Sequence, residues 1–153
     1  MDKIIVRETL ETPKRSYRLY GLIAPVWACV VDAIVTAVNQ PEGYWQGELY
    51  KAREGNPIGG PLMEQYAYAL FGISAIWLII IAALGYFLPR NAGRVFTLFV
   101  VLAHTWGAGS WISSNYGFWW VILIALVNAS LFIGFDNLQA PKPKIIKEGL
   151  PDS

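Results

Sequence analysis

Charge is scarce in this chain. Only 15% of its 153 residues are Asp, Glu, Lys or Arg, against about 25% in an ordinary soluble domain. Histidine and cysteine are scarcer: there is one of each, His104 and Cys29. A lone cysteine excludes an internal disulfide framework and leaves the redox compartment open. A net charge of +1 offers no basic surface, so no nucleic-acid partner is expected. Metal signatures are missing as well, since HExxH, CxxC and paired histidines at ligand spacing do not occur. There is no Walker A sequence, no GxGxxG and no GxSxG. Serines such as Ser74 and Ser110 therefore lack any motif that would mark a nucleophile.

Apolar sequence is what the chain has in excess, at 55% of its residues. It falls into four runs, about 18–39, 66–88, 94–114 and 118–135. Runs of roughly 20 apolar residues match the hydrocarbon thickness of a bilayer. Each far exceeds a strand, and barrel strands would alternate in polarity. The first run is too long for a signal peptide, and Asp32 interrupts it. The expected fold is all-α, an integral membrane four-helix bundle in a single domain, 1–153, with tails at 1–17 and 136–153.

Basic residues set the expected orientation. Lys3, Arg7, Lys14, Arg15 and Arg18 precede the first run, and Arg90 and Arg94 separate the second and third. Lys142, Lys144 and Lys147 follow the fourth. Ten of the twelve basic residues then share one side, leaving Lys51 and Arg53 with four glutamates on the other. The positive-inside rule places both termini in the cytoplasm. The aromatics suit the same arrangement: Tyr17, Tyr20 and Tyr86 fall at inner ends, and Tyr66, Tyr68, Trp111, Tyr116, Trp119 and Trp120 at outer ends. Trp27 and Trp77 fall near mid-membrane, where they are expected to pack between helices or line a ligand pocket.

One long outer loop joins the first two runs, Gln40 to Gln65. Its "YWQGELYKAR" segment suits a short helix on the membrane surface with Trp45 and Leu49 on one face. "GNPIGGP" is expected to break regular structure. A tight turn is expected around Asn115 to Gly117.

Polar side chains inside hydrocarbon are costly, so each is a candidate. Ala24, Ala28, Asp32 and Thr36 recur at steps of four and share a helix face. Their small size suits close helix approach, which turns Asp32 inward. Pro25 is expected to bend this helix below Asp32. At 1.5 Å per residue, Asp32 lies about 10 Å from the outer end, and His104 and Asn128 about 15 Å. Ser74 comes out near the level of Asp32. The polar cluster is therefore Asp32, Thr36, Ser74, His104 and Asn128, with Asp32 and Asn128 as expected partners of His104. A histidine accepts at one nitrogen while donating from the other. Asp32 and His104 are the candidate catalytic residues, and His104, Trp27 and Trp77 the candidate cofactor contacts. One His and one Asp make half a metal site, which Glu54 completes only by folding back.

"DAIVT", Asp32 to Thr36, followed by "EGNP", Glu54 to Pro57, resembles a family of small uncharacterised prokaryotic multi-pass membrane proteins. In these an Asp-x-x-x-Thr helix precedes a Glu-x-Asn-Pro loop. The likeness covers about 26 residues and departs from the family in the long insert between the motifs. It implies no known activity. It implies that Asp32, Thr36, Glu54, Asn56 and Pro57 form one unit near the outer surface, and that the membrane is a prokaryotic cytoplasmic membrane.

Three functions fit. Small size, short loops and missing catalytic motifs favour a structural or accessory subunit of a membrane complex, with other subunits or further copies as partners. Asp32 and His104 favour a membrane-embedded enzyme or transporter that uses proton relay or metal-assisted chemistry. His104 beside Trp27, Trp77 and Trp106 suits a pigment- or quinone-binding protein. No cofactor is specified.

Overall fold

The computed structural model describes residues 15–139. Lys3, Arg7, Lys14 and the three tail lysines, on which the expected orientation partly rests, lie outside the described residues. The described chain is helical, without strands. Its elements are α1 (Arg15–Tyr20), α2 (Ile23–Val38), α3 (Glu42–Trp45), a 3-10 turn (Leu49–Lys51), α4 (Gly59–Met63), α5 (Ala69–Phe87), α6 (Arg90–Tyr116) and α7 (Phe118–Gln139). Four segments are long and apolar enough to cross a membrane: Arg18–Val38, α5, α6 and α7.

Each boundary has a local cause. Gly21 and Leu22 interrupt the first segment, one turn before Pro25. A proline ring clashes with the carbonyl four residues back, here that of Gly21, so the helix breaks there. Pro89 caps α6 at its start in an extended conformation. This helix runs to 27 residues, about 40 Å, starting earlier and ending later than the apolar run 94–114 because polar residues at both ends prolong it. Gly117, with φ of 95°, is the one-residue turn into α7. Only glycine adopts that backbone readily.

In the bundle α2 and α6 pack on each other, and both touch α5 and α7. Small residues make this close approach: Ala24 and Ala28 meet Val101, with Leu131 and Phe132 of α7 alongside. A second cluster joins Cys29 to Ile81 and Val100. The expected inward face of α2 is thus buried at Ala24, Ala28 and Thr36. Near the ends of the described chain a Cβ on Gly85 would run into the Leu22 side chain. There Arg18 donates to the Tyr86 carbonyl at 2.9 Å, and Arg94 forks onto Asp136 at 2.9 and 2.7 Å. These contacts put both ends of the described chain at one end of the bundle, the tail end.

The long loop is a packed cap on the opposite end. Gln40 is buried and clamps Arg53 twice: its amide donates to the Arg53 carbonyl at 2.6 Å and accepts from the Arg53 N–H at 2.8 Å. Tyr44 is wholly buried with Met63 and Leu70, and its hydroxyl donates to the Ala67 carbonyl at 2.7 Å. Two expectations are corrected here. Trp45 and Leu49 do not share a helical face, because Gly47 turns at φ of 100° between α3 and the 3-10 turn. Nor is "GNPIGGP" irregular throughout, since its Gly59, Gly60 and Pro61 open α4. Proline is tolerated in a first turn, where its missing N–H has no helical partner.

Candidate functional site

Asp32 and His104 meet across the α2–α6 contact. The His104 Nδ1 lies 2.8 Å from Asp32 Oδ2. On the far side of the ring, Trp77 of α5 donates its indole N–H to His104 Nε2 at 2.7 Å. An indole only donates, so Nε2 is an acceptor and carries no proton. The imidazole proton therefore sits on Nδ1 and is donated to the Asp32 carboxylate.

Gly107, one turn after His104 on α6, makes room for that carboxylate. A Cβ there would stand 2.7 Å from both carboxylate oxygens of Asp32. The carboxylate thus lies against bare backbone, positioned by three helices at once.

This trio sits on a cavity of about 510 Å³. Cys29, Asp32 and Thr36 of α2 line one side, and Ser74 and Trp77 of α5 the other. Loop residues Glu54 and Asn56 close the end. The clamp of Gln40 on Arg53 explains their position: it ties the insert's two ends together and returns Glu54 to α2. Asn56 then accepts from the N–H groups of Ile58 and Gly59 at 2.9 and 3.3 Å, starting α4. Glu54 accepts the Asn56 N–H at 2.7 Å. Burial pushes the Glu54 carboxyl above its usual range; the Asn56 bond opposes this, and the charge of Asp32 adds to it. Beneath the cavity the Cys29, Ile81 and Val100 cluster is closed. Ile76 and Ile80 of α5 line the cavity yet remain exposed, so its rim opens on the bundle's side.

The expected cluster is thus brought together in large part. Asp32, Thr36, Ser74, Glu54, Asn56 and His104 share the cavity, while Pro57 is exposed at the surface. Asn128 is the main correction. It is 3% exposed and donates to the Thr105 hydroxyl at 2.7 Å, leaving its own carbonyl oxygen without a partner. It bonds the residue next to His104 because α7 packs on a different face of α6. Trp27 is also corrected: 44% exposed, it points out of the bundle. Trp106 is 82% exposed and does not flank His104 in a pocket. Both ring nitrogens of His104 are engaged, so neither is free for an axial ligand in this arrangement. Among the described residues, no three His, Cys, Asp or Glu side chains gather closely enough to hold a metal. Sequence reasoning did not find the Trp77–His104 bond, for which the only signal was Trp77 lying one turn from Ser74.

In comparisons with known proteins, no family model, no curated protein and no solved structure matches the chain.

Proposed function

We propose that this is an integral membrane protein whose cavity is a working site, where Asp32 binds a small, largely apolar molecule and exchanges a proton with it. One observation carries this: a carboxylate with a single hydrogen-bonded side-chain partner, at the edge of a roomy cavity, on helices suited to hydrocarbon. A purely structural pair gains nothing from an open volume beside it. His104 and Trp77 act as positioning residues, the first holding Asp32 and the second holding the ring. The exposed rim at Ile76 and Ile80 favours entry from the bilayer, and the buried cluster below shuts the cavity off from the tail end and leaves it at the loop end. With the positive-inside rule, that end faces outward and both termini lie in the cytoplasm. The shared cavity of Asp32, Thr36, Glu54 and Asn56 also supports treating the Asp-x-x-x-Thr and Glu-x-Asn-Pro motifs as one unit.

The test is native mass spectrometry of the full chain extracted from its own membrane. The expected result is a retained small molecule, lost in Asp32→Asn and His104→Gln while circular dichroism stays unchanged. Equal retention by all three chains would remove the proposal.

A second reading, a subunit of a larger membrane complex, is favoured by Trp106. Its indole is 82% exposed, about 15 Å from the end of α6. An N–H at that depth is costly without an acceptor, and a neighbouring protein supplies one. The same spectra decide it: a defined assembly supports a subunit, and a lone chain counts against one.

A further inference from the structure

The charges lining the cavity have one sign. Asp32 and Glu54 are its acidic residues, and neither lysine nor arginine lines it. His104 is already engaged at both ring nitrogens, by the Trp77 indole and by Asp32. The loop's cations are directed elsewhere. Lys51 pairs with Glu48 at 2.7 Å on the exposed surface, and Arg53 is exposed. A carboxylate beside apolar walls is costly without a countercharge. Among the described residues, no lysine or arginine in the cavity wall supplies one.

Two hydroxyls point to a ligand independently. Thr36 is only 4% exposed yet lines the cavity, and Ser74 lines it from the opposite helix. Neither hydroxyl is hydrogen-bonded to another described residue. The remaining wall is apolar, with Ile73, Ile76, Ile80 and Met63 prominent. The Trp77 ring is among the lining groups, and aromatic faces attract organic cations. The volume of about 510 Å³ falls within the usual range for small-molecule pockets. A bare divalent ion suits the site less well, because three clustered ligands of the usual kinds are not available among the described residues.

We infer that the cavity takes a protonated amine carried on a compact apolar body, its ammonium held by Asp32 and Glu54 and its body against the isoleucines. This rests on the cavity being a working site and adds the class of ligand. The apolar part provides affinity through burial, and the two carboxylates select the charge.

Three probes of one shape test it: adamantan-1-amine, adamantan-1-ol and adamantane-1-carboxylate. Each is titrated by equilibrium dialysis against the full chain in phosphatidylcholine nanodiscs, with empty nanodiscs subtracted. The amine is expected to bind saturably, one per chain, at least tenfold tighter than the alcohol, with no carboxylate binding. Asp32→Asn is expected to weaken the amine at least tenfold and Glu54→Gln by a smaller factor. Asn128→Ala, away from the cavity, is expected to leave binding unchanged. If Asp32→Asn does not fold, Glu54→Gln on the loop carries the test. Alcohol or carboxylate binding as tightly as the amine, with loss in the Asp32 or Glu54 variant, overturns the charge assignment and leaves the working site standing. Absence of saturable amine binding also overturns it, and the native-membrane spectra then decide the working site separately.

Discussion

The two ends of this bundle use the same helices and reach opposite results. At the tail end the helices close on one another: Leu22 fills the space over Gly85, and Gly93 lies near the Gly85 carbonyl. Polar groups there are paired, as in the half-exposed Arg94 on Asp136 and the buried Thr97 hydroxyl, which donates to the Arg94 carbonyl. At the loop end α2 and α5 enclose a cavity walled in part by residues 54–63, and polar groups turn into it. The tail end is consistent with a structural role alone. The loop end keeps an aspartate, a histidine and a cavity of about 510 Å³ together. That contrast is the strongest reason to look for function at one end.

The largest expected effect breaks the loop end. His104→Leu leaves the Asp32 carboxylate without its donor and is expected to cost about 3 kcal/mol. Reversible unfolding in mixed detergent measures it. Adding Asp32→Asn to that variant removes the orphaned charge and restores most of the loss. A cost under about 1 kcal/mol would mean that solvent already satisfies Asp32.

Glycines at the two ends sharpen the comparison. Gly107→Ala drives a methyl group against the Asp32 carboxylate and is expected to cost about 2 kcal/mol. Gly85→Ala clashes with the end of the flexible Leu22 side chain, with the Thr97 methyl in ordinary contact, and should cost about 1 kcal/mol. Equal losses in the same assay would show that the Asp32 position is no more constrained than ordinary packing.

Trp77→Phe removes the donor to His104 Nε2 and is expected to cost about 1 kcal/mol. Nitrogen NMR of the single histidine gives the diagnostic signal. The native chain should show the proton on Nδ1 alone, and the variant a mixture of tautomers. A native mixture would refute the hydrogen-bond assignment.

The smallest effect is a pH dependence at the loop. Burial raises the Glu54 carboxyl, so the folded chain holds its proton after the unfolded chain has released it. The stability due to this group is complete below the ordinary carboxylate value and is lost as pH rises through the raised one. Unfolding midpoints should therefore fall over that window, and Glu54→Gln should flatten the slope. A slope unchanged by the substitution would place its source elsewhere.

Much of the fold was legible because hydrocarbon imposes length and composition on a helix. Asp32 and Thr36 were legible as inward-facing because they fall at steps of four with Ala24 and Ala28. Depth, which is a simple count of residues, correctly suggested that Asp32 and His104 could meet. Depth alone does not give rotation about a helix axis, and Asn128 shows the consequence. It lies level with His104 yet faces Thr105. Trp27 and Trp77 both fall near mid-membrane, but one points out of the bundle and the other reaches the histidine. The extra turns of α6 and the start of α4 were missed because polar and glycine-rich segments hide short-range helical order.

The amino-acid sequence by itself determined four apolar helices, a tight turn near Gly117, a distortion at Pro25 and a few polar groups at matching depths. Those follow from local rules: the span of hydrocarbon, the missing proline N–H and the backbone freedom of glycine. Tertiary structure alone decided which polar groups pair, which tautomer His104 adopts, and that the Gln40–Arg53 clamp returns Glu54 to Asp32. These depend on how each helix is rotated and on contacts between residues far apart in the chain, which no local pattern encodes.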